Sequence, residues 1–431
     1  MNKGQAAGHR FQPASMHGLG VVCGLAAGVW LGGAEAPTKL VTTGLSPFAI
    51  SLAMVLGVFV ARWTLPTLLK GTDFVFSDLF AKPHLIVWAV LAGALWAVAN
   101  TLTVFAIRDV GLAIAFPLWN TNSLVGIFWG WLLFQEMRGA GFRIGSRVLG
   151  GALAIVGGAI LLAYVTVQHT SMVHAQAMHG ILAALGASLL WGTMYVPYRK
   201  AYLSGMNPLS FVTVFTIGEL GSMALLAVVF GGGVAPLHAE LTAARHVVFW
   251  IFLGGFCWVI GDLFQQYATK YIGIGRGIPL SNTNQLWGLA WGALVFGELA
   301  HVSDEGRWLI LLGSLLMIAG AVFISTAAAP AREQQSGRDA ISRECEKYGL
   351  RFEDCVAAQL GSMHGDDEKR PRPWWDYAIV ACAVAVFLWL GLQVKTPPLV
   401  MNFAWTGALC VVLLFAALGC GWLLWKRTRF S

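Results

Sequence analysis

Charged residues are scarce in this sequence. Asp, Glu, Lys and Arg together make up 11% of the 431 residues, whereas hydrophobic residues make up 57%. An ordinary soluble domain carries about 25% charged residues. The composition therefore excludes a typical soluble globular protein, and it predicts a chain that lies in lipid over most of its length.

The sequence also lacks the common motifs of nucleotide-driven and catalytic proteins. It contains no GxxxxGK[ST] loop, and "GIGRG" at 273–277 has neither a preceding strand nor the full dinucleotide fingerprint. No HExxH or Ser-His-Asp arrangement is evident, and the seven cysteines include no CxxC pair and imply no disulfide. His169, His174 and His179 are too loosely clustered to indicate a metal site. We therefore expect no enzymatic activity, no cofactor and no metal ion.

Long apolar runs are abundant instead. A run of about 18 or more apolar residues is long enough to cross the hydrocarbon layer of a bilayer. These runs predict an all-α polytopic membrane protein. Twelve helices are expected, at 16–36, 45–65, 84–106, 111–134, 147–167, 178–200, 207–231, 246–268, 273–297, 307–327, 374–395 and 399–425.

Lys and Arg predict the orientation of these helices. If the N-terminus is cytoplasmic and the loops alternate, 23 of the 28 basic residues fall on the inner side and 5 on the outer side. This asymmetry predicts a protein of the cell inner (cytoplasmic) membrane with both termini cytoplasmic. The net charge of +7 is explained by basic loops beside anionic lipid, so it indicates membrane lipid as a partner and no nucleic acid.

The first apolar run resembles a signal peptide in part. Lys3 and Arg10 precede it, and Ala34-Glu35-Ala36 has the form of a cleavage site. However, Pro37 follows that site directly, which argues against cleavage. We expect the segment to remain as the first helix of the repeat described next.

An internal repeat divides most of the chain into two units. At an offset of 162, residues 117–136 and 279–298 share 12 of 20 positions, including Pro, Asn-Thr-Asn and a final Glu. The match extends back to 16–18 and 178–180, so each unit holds five predicted helices. An odd number of helices inserts the second unit upside down, and inverted repeats of this kind are typical of transporters.

The predicted fold is therefore a ten-helix inverted repeat (5+5) plus a C-terminal two-helix hairpin. Its expected parts are a cytoplasmic N-terminus (1–15), two five-helix repeats, a cytoplasmic charged linker with short amphipathic helices, and the extra transmembrane hairpin with a basic C-terminus. The repeats span 16–167 and 178–327, the linker spans 328–373, and the hairpin spans 374–431.

Two long segments carry a family resemblance. "GALWAVANTLTVFAIRDVGLAIAFPLWNTNSLVGIFWGWLLFQE" (93–136) and "GGFCWVIGDLFQQYATKYIGIGRGIPLSNTNQLWGLAWGALVFGE" (254–298) resemble the glucose/ribose (sugar) uptake branch of the drug/metabolite transporter superfamily. Shared features are a Trp with Asn or Asp four residues later, a Gly-rich turn, a Pro, a polar cluster and a closing acid. The resemblance implies ten helices in inverted repeat and uptake of a sugar or similar solute. It ends near residue 327.

Polar side chains within the predicted spans are candidates for substrate binding. Amides and hydroxyls offer the mixed donors and acceptors that a sugar hydroxyl needs, although they also serve as hydrogen-bonding contacts between membrane helices. Aromatic rings would stack on the apolar face of a sugar. The candidates are Trp96, Asn100, Trp119, Asn120, Thr121, Asn122, Trp258, Asp262, Gln265, Gln266, Asn282, Thr283, Asn284 and Gln285.

Pro117 and Pro279 precede the two Asn-Thr-Asn triplets and are expected either to break their helices or to begin them. Glu219 and Asp262 lie within apolar spans and are candidates for proton coupling. An inert, hydrogen-bonded Glu219 and an Asp262–Lys270 pair are the alternatives. Glu136 and Glu298 are expected to be boundary residues at helix ends.

These observations predict a secondary transporter that imports a sugar or similar small polar solute by alternating access, with proton symport as a further hypothesis. An exporter of amino acids, metabolites or drugs is one alternative, and a membrane sensor that does not transport is another. Gly150, Ala154 and Gly158 form a stripe of small residues that fits close helix packing or a homodimer contact. The C-terminal hairpin is expected to have a structural or oligomerisation role.

Overall fold

A computed structural model describes residues 13–38, 40–41, 44–110, 115, 118–138, 140–167, 174–297, 303–360, 372–395 and 401–430. These residues contain helices and no strand. Ten of the helices are long and apolar enough to cross a membrane, which confirms the predicted all-α polytopic fold.

Most of the helices lie within the two predicted repeats. In chain order these are α1 (Pro13–Thr38), α2 (Pro47–Lys70), α3 (Asp73–Ala81), α4 (His84–Val110), α5 (Asn122–Phe134), α6 (Phe142–Val167), α7 (His174–Leu203), α8 (Pro208–Phe230), α9 (Val234–Ala243), α10 (Arg245–Ile272), α11 (Ile274–Ser281), α12 (Asn284–Ala290) and α13 (Asp304–Ser325). The chain then continues through α14 (Ala331–Tyr348), α15 (Phe352–Leu360), α16 (Trp374–Gly391) and α17 (Phe403–Thr428).

Capping residues begin several of these helices. Ser46 and Asn207 cap α2 and α8 through hydrogen bonds from Ala49 N–H and Leu209 N–H, and a proline follows each cap at the first helical position. A side-chain cap satisfies one of the backbone N–H groups that a helix start leaves open, and proline has none to satisfy. Both repeats therefore begin their second helix in the same way.

Two of the twelve predicted helices are not continuous, and this prediction was wrong. The predicted helix 111–134 is interrupted by a turn at Asn120 and Thr121, after which α5 begins. The predicted helix 273–297 divides into α11 and α12 at Asn282 and Thr283, and α12 runs into a π-helical turn at Trp291–Val295. The breaks fall at the triplets because Asn and Thr side chains compete with the helix for backbone hydrogen bonds.

Close helix crossings occur at matching positions in the two halves. Gly57 of α2 and Gly255 of α10 each lie where a Cβ would overlap a backbone oxygen of the other helix. Gly93 of α4 and Gly218 of α8 form the equivalent crossing. Glycine allows backbones to approach closely in membrane helices. The crossing of α2 with α10 is thus repeated between their counterparts α8 and α4.

The contact between α6 and α13 relates the halves more directly. Gly151 lies against Gly320, and Gly158 lies against Gly313. The two helices therefore run antiparallel, and an offset of 162 residues exchanges the two contacts. Because α6 and α13 are counterparts in the two halves, those halves point in opposite directions at this contact.

The predicted stripe of small residues was displaced by one position. Gly158 does pack closely, but the second closely packed glycine on the same face of α6 is Gly151, whereas Gly150 is exposed and a Cβ there would meet nothing within 4 Å. The packing surface of α6 therefore faces α13 of the same chain. A homodimer contact stays a prediction.

The C-terminal helices pack on the bundle that the two repeats form. Helices α14 and α15 cover one end of it, where Gln359 Nε2 donates to Lys270 O at 2.6 Å and Lys200 pairs with Glu344 at 2.8 Å. We call this the capped end. Helix α16 packs against α2, and its Asp376 accepts a 2.6 Å hydrogen bond from the hydroxyl of Thr72, which follows the end of α2. Helix α17 lies against α1.

We predict that Gly158→Ala and Gly150→Ala have opposite effects on stability. A methyl group at Gly158 would meet Gly313 O and Met317, and such overpacking typically costs about 1–3 kcal/mol. At exposed Gly150 the same change lowers backbone entropy of the unfolded chain and is expected to stabilise by about 0.4–1 kcal/mol. Thermal unfolding of the purified protein in detergent measures both. Equal effects of the two variants would contradict the close crossing.

Candidate functional site

The two Asn-Thr-Asn triplets meet inside the bundle. Asn282 Nδ2 donates to the backbone oxygen of Asn120 at 2.9 Å and to Asn122 Oδ1 at 2.8 Å. All three asparagines are buried. Since each triplet lies at a helix break, the interruptions of the two helices face each other and share their hydrogen bonds.

A small cavity of about 60 Å³ lies beside this junction. Asn120 Nδ2 and Asn284 Oδ1 have no hydrogen-bond partner among the described residues, and both residues line the cavity. The full lining consists of Leu31, Trp119, Asn120, Asn122, Trp191, Met194, Tyr195, Trp258, Gln265, Asn282 and Asn284. We call this the central cavity. Its walls come from both halves of the chain, and its polar groups are uncharged amides and one phenol.

Tryptophans form two of its walls. Trp119 meets Trp191 edge to face at 5.8 Å, and Trp258 meets Trp96 in the same way at 5.1 Å. Trp119 and Trp258 line the central cavity, whereas Trp96 is fully buried behind Trp258. Trp96 therefore positions a wall of the cavity and is not part of its surface.

Several predicted binding residues lie outside the cavity. The hydroxyl of Thr121 donates to Leu118 O at 2.6 Å, and that of Thr283 donates to Leu280 O at 2.7 Å. These bonds hold the two turns in shape. Asn100 and Gln285 are buried but do not line the cavity.

A buried cluster of charges lies next to the cavity. Arg62 NH2 is 3.0 Å from Asp262 Oδ2, Arg62 Nε is 3.9 Å from Glu219 Oε2, and all three side chains are inaccessible to solvent. Gln266 donates to Asp262 at 2.8 Å and accepts from the Tyr202 hydroxyl at 2.6 Å. We call Arg62, Asp262 and Glu219 the charge cluster.

Arg62 was not predicted from the sequence. It was counted with the basic residues of the inner side, although it lies within the expected second helix (45–65), three residues before its predicted end. Instead α2 continues to Lys70, which places Arg62 about 12 Å from the end of the helix at 1.5 Å per residue. The signal was present in "VFVARWTL" (58–65), where one cation interrupts an apolar run.

The interior of the bundle thus contains one cation of this cluster, Arg62, and Asp262 compensates its charge. The alternative that paired Asp262 with Lys270 was wrong, since Asp262 pairs with Arg62. The indole of Trp258 links the two regions, because it lines the central cavity and its ring centre lies 5.6 Å from the Arg62 guanidinium carbon.

The predicted helix-breaking role of Pro279 was wrong in position. Pro279 lies inside α11, and the chain leaves the helix three residues later at Asn282. Pro279 has no N–H to donate to the carbonyl of residue 275 one turn earlier, but α11 continues for two residues beyond it. Pro117 and Glu298 lie outside the described residues.

Glu136 lies two residues beyond the end of α5, as predicted for a residue at a helix end. It is buried at the capped end, and its carboxylate accepts hydrogen bonds from the N–H groups of Ile274 and Gly275 at 3.1 and 2.9 Å. It also lies 3.2 Å from Arg199 Nε. Over the part of the chain that the structure describes, no group of three His, Cys, Asp or Glu side chains could hold a metal ion.

We predict that Asp262→Asn destabilises the protein more than Glu219→Gln does. Removing one partner of a buried ion pair typically costs about 3–5 kcal/mol, because the remaining charge is left without compensation. Asp262 is the nearer partner of Arg62, so its loss should fall in that range, and loss of Glu219 should cost less. Thermal unfolding of the two variants in detergent tests this order. A larger effect for Glu219→Gln would contradict the assignment of Asp262 as the main partner of Arg62.

Comparisons with known proteins agree with this architecture. Residues 178–326 match the EamA-like transporter family. A protein from Streptococcus pyogenes serotype M1 that is named for sugar uptake is 25% identical over 246 residues, which cover 56% of this chain and 79% of that protein. A protein of similar name from Listeria monocytogenes is 27% identical over 166 residues, 38% of this chain and 51% of its own length.

A solved crystal structure covers 72% of this chain and 97% of its own, with 18% identity and a TM-score of 0.48, which is too low to support an argument. The family match is more informative, because its bounds nearly coincide with the predicted second repeat. The second half of the chain is therefore similar to an EamA-like transporter domain of the drug/metabolite transporter superfamily.

Proposed function

We propose that the protein is a secondary transporter that imports a sugar or similar small polar solute across the cytoplasmic membrane. The observation that carries this proposal is the central cavity, where Asn120 Nδ2 and Asn284 Oδ1 line the wall without a partner among the described residues. A buried amide that makes no hydrogen bond is costly. A hydroxylated solute would satisfy both.

The chemistry of the lining supports a sugar over a charged solute. Amide side chains both donate and accept, as a sugar hydroxyl does, and Gln265 adds a third such group to the wall. Trp119 and Trp258 offer aromatic surface to the apolar face of a sugar ring. No charged side chain lines the central cavity, and Arg62 is held by Asp262 beyond it. The names of the bacterial relatives favour the same class of solute.

Transport requires the cavity to change size. Its volume of about 60 Å³ is smaller than the about 300–1,000 Å³ of typical ligand pockets, so the halves must move apart to admit a sugar. We assign the moving units to residues 16–167 and 178–327, as inverted repeats that rock about the junction of the triplets. The capped end would face the cytoplasm, in accord with the distribution of Lys and Arg.

The charge cluster supports proton symport. It contains two carboxylates and one guanidinium, so it carries a net negative charge unless one proton is bound. An uncompensated charge buried away from water is strongly disfavoured, and Glu219 is the carboxylate farther from Arg62. Glu219 would therefore carry the proton, and Trp258 would couple its release to the state of the cavity.

Deletion of the C-terminal region would not distinguish a transporter from a membrane sensor. Phe430 O accepts hydrogen bonds from Asn207 Nδ2 at 2.7 Å and from the Tyr267 hydroxyl at 3.0 Å. The last residues thus support the bundle itself, and their removal would damage a transporter and a sensor alike. Direct measurement of uptake separates these alternatives, and an exporter would show outward transport in the same vesicles.

We predict that Asn120→Ala and Asn284→Ala each reduce uptake about fivefold or more, because each leaves a solute hydroxyl unpaired in the cavity, which costs about 1–3 kcal/mol. Uptake of a panel of radiolabelled sugars into vesicles measures the effect. Ser51→Ala is the matched control, since Ser51 is buried but does not line the cavity. Unchanged uptake in both asparagine variants would reject the site.

We predict that Glu219→Gln separates coupling from solute movement. A glutamine cannot bind or release a proton, so accumulation driven by a proton gradient should be lost. Exchange of labelled for unlabelled solute needs no net proton transfer and should continue. Uptake with an imposed pH gradient and counterflow in the same vesicles measure the two processes. Gradient-driven accumulation at the wild-type level in this variant would exclude Glu219 as the coupling residue.

A further inference from the structure

A second cavity of about 360 Å³ lies at the capped end. It lies between the bundle and the two covering helices, with Glu136, Arg199 and Arg276 on the bundle side and Ile341 and Gln359 on the side of α14 and α15. We call it the outer chamber. Helix α11 runs from its wall at Gly273 and Arg276 to Asn282 of the central cavity. Its eight residues span about 12 Å.

Glu136 fixes the end of α11 that borders the outer chamber. Its two carboxylate oxygens accept from Ile274 N–H and Gly275 N–H at 3.1 and 2.9 Å. The first N–H groups of a helix have no partner within it and carry a partial positive charge, so a carboxylate is well suited to them. Because Glu136 follows α5 of the first half, these bonds hold the two halves together.

Arg199 extends this contact to a third helix. Its guanidinium lies 3.2 Å from Glu136 and donates to Lys270 O at 3.1 Å, in the last turn of α10. The C-terminal end of a helix carries a partial negative charge, just as its start carries a partial positive charge, so a cation is stabilising there. One ion pair thus spans the joint between α10 and α11, where Gly273 has a φ of 82°.

The surrounding backbone is shaped to receive the carboxylate. A Cβ on Gly130 would lie 2.7 Å from Glu136 Oε2, and one on Gly273 would lie 2.6 Å from its carboxyl carbon and Oε1. Gln135 and Met137, on either side of Glu136, have φ values of 56° and 62°, a region that residues with a Cβ rarely adopt. Such conformations persist only where surrounding contacts maintain them.

We infer that Glu136 and Arg199 form the gate between the central cavity and the outer chamber. This inference rests on the proposed transport function. In this structure the pair holds the start of α11 against α5 and closes the passage. When the solute leaves towards the capped end, Glu136 releases the two N–H groups, α11 turns about Gly273, and the cavities join. Glu136 and Arg199 are positioning residues, since neither lines the central cavity.

The test measures access to the central cavity from each side. Met194 lines that cavity and is 1% exposed, so Met194→Cys reports when a path is open. A membrane-impermeant maleimide is applied to sealed vesicles of either orientation, and mass spectrometry of the peptide that contains residue 194 separates this site from the native cysteines. Adding Glu136→Gln should increase labelling from the capped side about tenfold or more, with no change from the other side.

Glu344→Gln is the matched control. It removes a carboxylate from the neighbouring Lys200–Glu344 pair at 2.8 Å, which joins α7 to α14 and does not touch α11, so labelling should be unchanged. If Glu136→Gln does not yield folded protein, Arg199→Gln carries the same prediction. Labelling that stays slow, or that rises equally from both sides as general loosening would cause, overturns the gate.

This assay is independent of solute identity. If no sugar is taken up but labelling is sided as predicted, the sugar proposal fails and the gate stands. If uptake occurs and labelling is unchanged by Glu136→Gln, the gate fails and the transport proposal stands.

Discussion

The hydrogen bonds from Asn282 to Asn120 and Asn122 are the interaction on which the centre of this protein depends. A bilayer offers no water to backbone groups, so a helix can break within it only where other protein groups replace the lost bonds. Here the breaks of two helices face each other, and the Asn282 amide of one triplet donates hydrogen bonds to two oxygens of the other. The same two breaks expose the amide groups of Asn120 and Asn284 to a cavity between the halves. The residues that satisfy this structural requirement therefore also line the cavity.

The few charged residues of the interior are also grouped together. Only a small share of the chain is ionisable, and yet Arg62, Asp262 and Glu219 lie together in its fully buried interior. The hydroxyl and amide groups of Tyr202 and Gln266 extend the cluster, and Trp258 separates it from the cavity. The cluster contains more carboxylates than cations, and this excess is the basis of the proposed proton coupling. At the capped end, Glu136 and Arg199 form a second ion pair, in which Glu136 holds a helix start.

The sequence was sufficient to predict most of the spans and the repeat, because these follow from apolar length and from identical residues at a fixed offset. It was insufficient where the outcome depends on the exact end of a helix or on which face a residue occupies. Arg62 was counted with the inner side because the predicted helix ended three residues later, at 65, whereas α2 continues to Lys70. The stripe on α6 was placed at Gly150 although Gly151 makes the contact. The role of Glu136 needed the start of α11, which is distant in sequence, and the outer chamber needed the packing of α14 and α15.

Equilibrium binding to the purified protein tests the central claim, that a hydroxylated solute occupies the space between the two triplets. A panel of radiolabelled monosaccharides would be titrated against the wild-type protein and against Asn282→Ala in detergent. The account predicts saturable binding of at least one sugar by the wild-type protein, and weaker binding by the variant, because loss of the Asn282 amide disturbs both triplets at once. Binding of equal strength in the two proteins would contradict it, as would the absence of binding throughout the panel.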